Sequence, residues 1–291
     1  MSENVIAVIG ASGLTGRPLI RAFKKRGVRV RAITRRAERP GLFSEPVEVS
    51  HGDLRNVDSL VDAFQGTHAI HYIPPSFDAR EPEYAGNVIA AAELAGVSRI
   101  VYHSVLHAAT PEMPHHIRKA GVELQLRHSP LTWTVLQPAM YAQTALAFFD
   151  DSTGLLTPPF DPTRPFTPVH EEDLAEAAAV VHTTDGHAFA TYELAGPELL
   201  NFTAMGDRLS GVLGRAVATR KVAAEMLAPL VATVRGFDEG QVGELNLMFD
   251  HYDRYGLVGN ANVLRMLLGR EPADFAEAAR RSLLNRSGDL V

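Results

Sequence analysis

Residues 5–16 read Val5-Ile6-Ala7-Val8-Ile9-Gly10-Ala11-Ser12-Gly13-Leu14-Thr15-Gly16, and few folds accommodate such a stretch. The five apolar residues predict a strand buried on both faces, and an amphipathic helix over residues 14–25 follows the glycines. A strand covered on both faces belongs in a parallel sheet with helices on either side. The glycines fall three apart, as G-x-x-G-x-x-G rather than G-x-G-x-x-G. Such a loop turns tightly, lets backbone approach a pyrophosphate, and aims the free N–H groups of a helix N-terminus at the anion. Ser12 and Thr15 add hydroxyl donors. Glycines also serve tight turns for steric reasons alone, but here the strand before and the helix after supply the context a dinucleotide loop requires. Gly10, Ser12, Gly13, Leu14, Thr15 and Gly16 are therefore the expected pyrophosphate contacts.

The same alternation continues. Strands are predicted at residues 28–33, 47–49, 69–73, 99–103 and 132–136, the last stopped by Pro138. Helices are predicted at 56–64, 83–95 and 115–126. Strands and helices alternating in this way predict an α/β, Rossmann-type, doubly wound parallel sheet that binds its ligand outside the carboxyl ends of the strands. After about residue 150 the pattern changes. Residues 154–168 hold five prolines and read as a loop unable to pair regularly. Residues 171–182 form an alanine-rich helix, and 192–194 a late strand that rejoins the sheet. Helices follow at 204–213, 221–234, 240–255 and 272–284. We expect a dinucleotide-binding domain over 1–150, to which about 168–196 returns, and a smaller, helix-rich lobe on the substrate side over 151–291.

Composition excludes several function classes. With 28 Lys and Arg against 34 Asp and Glu, the net charge is −6, without the basic excess of a nucleic-acid binder. There is no cysteine, which removes thiol nucleophiles, disulfides and Cys-ligated zinc. No uncharged apolar run is long enough for a bilayer, and the opening residues lack the pattern of a signal peptide. A cytoplasmic protein without membrane or nucleic-acid partners is expected. Oligomeric state is not legible.

The second strand ends at Thr34-Arg35-Arg36. A site preferring NAD places an acidic residue about 20 residues beyond the glycines, on the ribose 2′-hydroxyl. Two arginines stand there instead, and their forked donors suit a 2′-phosphate, so NADP(H) is the expected cofactor. In Gly52-Asp53-Leu54, Asp53 could accept from the adenine amino group while Leu54 packs the ring, or Asp53 could cap the next helix. Ile73 and Pro74 close the fourth strand and would form a wall beside the cofactor.

Ser104 ends the fifth strand, near where a nicotinamide would lie in such a fold. Beyond it, His115, Lys119 and Glu123 lie four apart and share one helix face. Hydride transfer to a carbonyl or enone needs a proton donor, which an ordinary histidine supplies near neutral pH. His115 is the candidate acid, and Lys119 would hold ribose hydroxyls and bias its pKa. Two plainer readings stand beside this one. His115 could merely start the helix, and Lys119–Glu123 could be a helix ion pair of ~0.3–0.5 kcal/mol. A metal site from His103, His107, His115 and His116 has no carboxylate placed to complete it.

Taken together, these stretches resemble the NmrA-like group of atypical short-chain dehydrogenases/reductases. They are Gly10-x-x-Gly13-x-x-Gly16, Thr34-Arg35-Arg36, Gly52-Asp53-Leu54, His103-Ser104-Val105, His115-x-x-x-Lys119-x-x-x-Glu123, residues 136–141 and Gly196-Pro197-Glu198. The resemblance covers essentially the whole chain and is densest before residue 145. It implies an NADP-binding Rossmann domain with a small substrate-side lobe. It includes reductases of quinones, isoflavonoids or related ethers, and proteins that bind NADP without established turnover. The Tyr-x-x-x-Lys pair of other short-chain enzymes is absent; His115 stands where their tyrosine would, while Ser104 and Lys119 keep their places. The expected function is hydride transfer from NADPH to a small apolar carbonyl, quinone or enone, with Tyr141 bordering that substrate and Pro138 beside the cofactor. The alternative is a non-catalytic NADP(H) sensor acting through a protein partner.

Overall fold

The computed structural model describes residues 5–35, 43 and 46–288. In chain order its elements are β1 (Val5–Ile9), α1 (Gly16–Lys25), β2 (Arg29–Thr34), β3 (Glu48–His51), α2 (Val57–Phe64), β4 (Ala69–Tyr72), α3 (Glu81–Leu94), β5 (Arg99–His103), α4 (Pro114–His128) and β6 (Thr132–Pro138). There follow α5 (Ala142–Leu146), β7 (Phe149–Asp150), β8 (Leu155–Leu156), α6 (Glu171–Thr183), β9 (Ala190–Leu194), α7 (Phe202–Leu213), β10 (Ala218–Thr219), α8 (Ala224–Arg235), α9 (Glu239–Tyr255), α10 (Asn262–Leu268) and α11 (Phe275–Gly288). The chain divides into two units. One holds residues 1–109, 115–137 and 174–192, the other residues 110–114, 138–173 and 193–291. None of the described helices is long and apolar enough to cross a membrane.

The first unit is built on a sheet of order β3-β2-β1-β4-β5-β6-β9, and every pairing from β3 to β6 is parallel. The chain leaves β1 toward β2 on one side and returns to β4 on the other, so the strand order reverses between β1 and β4. That reversal opens a crevice at the carboxyl ends of the two strands. The late strand predicted at 192–194 is β9, hydrogen-bonded beside β6.

Alternation along the strands sorts the two faces. Ile9, Ile33, Ile70, Tyr72, Ile100, Tyr102 and Val135 join Leu60 and Phe64 of α2, Val88 of α3, and Val122 and Leu126 of α4 in one apolar cluster. His71, between Ile70 and Tyr72, points the other way. Its Nδ1 lies 3.2 Å from His182 Nε2 of α6, and Phe23 of α1 edges onto both rings.

The second unit corrects one expectation. Leu155 and Leu156 do pair, antiparallel with β7 and parallel with β10, in a three-stranded sheet. The prolines begin only at Pro158, so the N–H groups before them remain available to a ladder. Helix α10 was not evident from sequence. It is short, preceded by Asn260 and ended by Gly269 in the left-handed conformation, and too brief to show a period.

Candidate active site

The loop between β1 and α1 is shaped by close approach. Gly10 has φ +76°, and a Cβ there would meet the Ile73 carbonyl oxygen at 2.8 Å. A Cβ on Gly16 would overlap the Gly10 carbonyl and Ala11. Those two glycines serve packing of the loop against β4 and α1. Gly13 differs: a Cβ would meet only Gly10 O, at 3.3 Å, and Ser12, Gly13 and Leu14 are exposed. Helix α1 begins just beyond, with no acidic residue in its first turn and no side-chain cap. Within this turn Gly13 N–H donates to Gly10 O at 3.0 Å, Arg17 N–H to Gly13 O at 3.1 Å and Leu19 N–H to Thr15 O at 3.4 Å. The loop therefore lies at the amino end of α1, where the helix dipole favours an anion.

At the end of β2, Thr34 is half-buried and Arg35 exposed; Arg36 lies outside the described residues. Asp53 sits nearby, but its carboxylate is already gripped by Arg55, Nη2 to Oδ2 at 2.6 Å and Nε to Oδ1 at 3.0 Å. These hydrogen bonds, with help from Arg35, hold its pKa down at about 2. Asp53 does not cap α2; Asn56 does, its side chain accepting from Ser59 N–H. Leu54 is nearly buried, at 8% exposure, within the apolar cluster. Arg55 was missed in the sequence. Its guanidinium is largely exposed beside Asp53, and the signal lay in the basic residue following Gly52-Asp53-Leu54.

Ile73 and Pro74 follow β4 and are half-buried and buried. From the end of β5, Ser104 is only 3% exposed. Its Oγ donates to Glu123 Oε1 at 2.6 Å, an oxygen that also accepts from Gln137 Nε2 at 2.7 Å. Glu123 pairs with Arg127 at 3.3 Å rather than with Lys119. The plainer reading, a Lys119–Glu123 helix ion pair, is not what forms: Lys119 takes a longer-range partner. Lys119 Nζ donates to Glu81 Oε1 at 2.9 Å, and Tyr102 Oη donates to the same oxygen at 2.6 Å. Glu81 is fully buried in the first turn of α3, and Lys119 nearly so. A buried carboxylate must be met by a cation or by hydrogen-bond donors: Glu81 takes Lys119 and Tyr102, and Glu123, itself only 4% exposed, takes Ser104, Gln137 and Arg127.

His115 is brought to the same region, since the Lys119 charge acts on it. Burial first, then His116 and Lys119, pull its pKa down to about 2, so the ring is neutral at neutral pH and has no imidazolium proton to give. It stacks on Phe77 with ring centroids 4.3 Å apart and meets His116 edge-on at 4.5 Å. His103 lies 6.0 Å from His71 across the sheet, while His107 is exposed. Among the described residues no group of three His, Cys, Asp or Glu is arranged to hold a metal. Pro138 ends β6, and Tyr141 belongs to the second unit, where it precedes α5 and bridges to Val169.

Residues 2–278 match the model of the NmrA-like family. The chain belongs to the NmrA-like family. Among its relatives, an NAD(P)H azoreductase of Xenophilus azovorans is 25% identical over 95% of this chain and 97% of that protein. Two solved structures are also similar. The NADPH-dependent quinone oxidoreductase 2 of Escherichia coli, complexed with NADPH, has a TM-score of 0.81 at 26% identity, covering 96% of this chain and 99% of that one. The triphenylmethane reductase of Citrobacter sp., complexed with NADP(H), has a TM-score of 0.80 at 26% identity, covering 95% and 99%. As an NmrA-like protein, the chain presents its glycine loop, Arg35 and Lys119 on the Rossmann-type first unit.

Proposed function

We propose that this NmrA-like protein reduces a quinone or a related conjugated, apolar acceptor at the expense of NADPH. The chain is an NADP(H)-dependent oxidoreductase. The observation that carries the acceptor reading is the ammonium group of Lys119, held by the buried Glu81 beyond the strand-order reversal. The bound cofactor supplies a hydride. Gly10, Ser12, Gly13, Leu14, Thr15 and Gly16 cradle the pyrophosphate, and Arg35 and Arg36 take the 2′-phosphate. Thr34, Asp53 and Leu54 line the adenosine end, with Ile73 and Pro74 as a wall. A hydride and one proton convert a quinone to its hydroquinone. Lys119 is the positioned N–H donor at the oxygen where negative charge develops, and it takes the proton-donor role that spacing assigns to His115. Ser104, donating to Glu123, ties β5 to α4 and acts as a positioning residue. His115 enters as a neutral, largely apolar ring. Relatives named for quinone and azo reduction support this reading.

The neutral state of His115 is also what favours a second reading, a protein that binds NADP(H) and signals through a partner without turnover. NADPH oxidation, followed by its absorbance with quinone, azo and enone acceptors, separates the two. Turnover of a quinone above the protein-free rate, lost in Lys119→Met, is the expected result. Oxidation of NADPH by none of the acceptors, with NADPH binding intact, would overturn the acceptor reading, and the sensor reading would further require NADPH to alter binding to a protein partner.

A further inference from the structure

Phe77 stands in a backbone conformation that its side chain disfavours. Its φ is +59°, a region open to glycine and, less often, to Asn, Asp or His, but a genuine outlier for a bulky residue. The segment is fixed on both sides. Pro74 and Pro75 precede it. After it, Asp78 accepts from Arg80 N at 3.0 Å and from Tyr84 Oη at 3.3 Å, while its carbonyl accepts from Glu81 N–H at 3.1 Å. Glycine would satisfy this turn without strain, so the turn itself does not call for an aromatic ring. Strain of this kind gathers at sites where a side chain must be aimed. Phe189 shares the φ value, but its ring packs on Trp133 at the far edge of the sheet.

The Phe77 ring is aimed at His115, with centroids 4.3 Å apart and planes inclined by 38°. His115 is in turn one helical turn before Lys119 and only 6% exposed, whereas Phe77 is half-buried. An aromatic surface therefore stands beside the one cation assigned to the acceptor oxygen, at the end of β4. Neutral His115 does not add charge to that surface.

We infer that Phe77, backed by His115, is the specificity-determining platform on which a flat aromatic acceptor stacks, so that the chain selects fused-ring quinones over small aliphatic enones. This deepens the reductase reading and rests on it for turnover, but the stacking itself is measurable by binding alone. Ring stacking requires a planar π-system on the acceptor, and an offset or tilted aromatic pair discriminates by up to about 10-fold in affinity.

The test compares the unmutated chain with Phe77→Gly, Phe77→Leu and Phe77→Tyr. Dissociation constants for 1,4-naphthoquinone and for 2-cyclohexenone are measured by calorimetry at saturating NADP+, and KM and kcat with NADPH. Phe77→Gly and Phe77→Leu should weaken naphthoquinone about 5–10-fold and raise its KM to match. Cyclohexenone should change less than about 2-fold on either measure, since it has no aromatic face to lose. Phe77→Tyr should restore naphthoquinone. Phe77→Gly should melt no lower than the unmutated chain, because it removes the strain along with the ring. Unchanged naphthoquinone binding in Phe77→Gly and Phe77→Leu, or equal losses for both ligands, would overturn the platform. Should no acceptor be reduced, the turnover reading fails while the binding series still decides the platform.

Discussion

Acidification should destabilise this protein before its carboxylates titrate. His71, His103 and His182 share one buried face of the sheet. Burial, with the Lys119 charge, holds His103 at about 3, and burial with the Arg99 charge holds His182 at about 3. His71 is pushed well below its ordinary value by burial and by His182. In the unfolded chain each imidazole returns to about 6.5. The folded groups are thus the weaker bases, so the unfolded state binds more protons between pH 6.5 and 3. Stability is unaffected above that window and falls as pH drops through it. Between pH 7 and pH 5 each such histidine removes about 2 kcal/mol. His103 and His182 alone then remove about 4 kcal/mol, against a total of roughly 5–15 kcal/mol for a folded protein. Asp53, held at about 2 by Arg55, belongs to a separate window. Its contribution is complete above the usual carboxylate value and is lost only as pH falls from about 4 toward 2. Urea unfolding at closely spaced pH values from 7.5 to 5 gives the slope directly. A slope of at least about 2.7 kcal/mol per pH unit near pH 5 is expected, or two protons' worth. His182→Gln should reduce it by about 1.4 kcal/mol per unit, whatever it does to stability at pH 7. A flat profile from pH 7 to 5, or a slope indifferent to His182→Gln, would refute the reasoning.

Three further outcomes follow from the site. Changing Arg35 and Arg36 together to alanine should weaken NADPH by ~2–4 kcal/mol, from charged hydrogen bonds of roughly 1.5–3 kcal/mol each, while NADH affinity stays put; calorimetric titration of both cofactors checks this. Gly13→Val should abolish NADPH binding yet leave the circular dichroism spectrum and melting temperature close to normal, because a Cβ there meets a single atom at 3.3 Å. Glu81→Ala, which strands Lys119 and Tyr102 without their shared acceptor, should cost about 3–5 kcal/mol in urea unfolding. Glu81→Gln should cost less, since an amide oxygen can still accept from Tyr102.

Much of the first unit is local information. Five apolar residues, a glycine loop and a helix within residues 5–25 suffice to place a buried strand, a tight turn and the start of α1, since each depends on neighbours a few residues away. The alternation of later strands with helices then leaves few topologies, because parallel crossovers run in one hand, whereas the pairing of β4 with β1 is read only from the assembled sheet. Arg35 is legible for the same reason: the end of β2 is reached by counting along the chain. His115, Lys119 and Glu123 share a helix face by spacing alone, and so they do here.

What spacing cannot determine is which partner a buried polar group selects. Lys119 had a neighbour four residues away in Glu123, yet it bonds Glu81, 38 residues distant in sequence. Both carboxylates are buried, Glu81 fully and Glu123 at 4% exposure, so each must be met by donors inside the fold, and at Glu81 those are Lys119 and the Tyr102 hydroxyl. Glu123 is released to Ser104 and Gln137 by the same competition. His115 keeps its predicted position on the helix but loses its predicted proton, because its titration depends on burial and on packing by Phe77 and His116, which no pattern in residues 115–123 announces. His71 and His182 meet across 111 residues. Local periodicity assigns each side chain to a face; only the assembled fold removes the water around it, and desolvation then decides its charge and its partner.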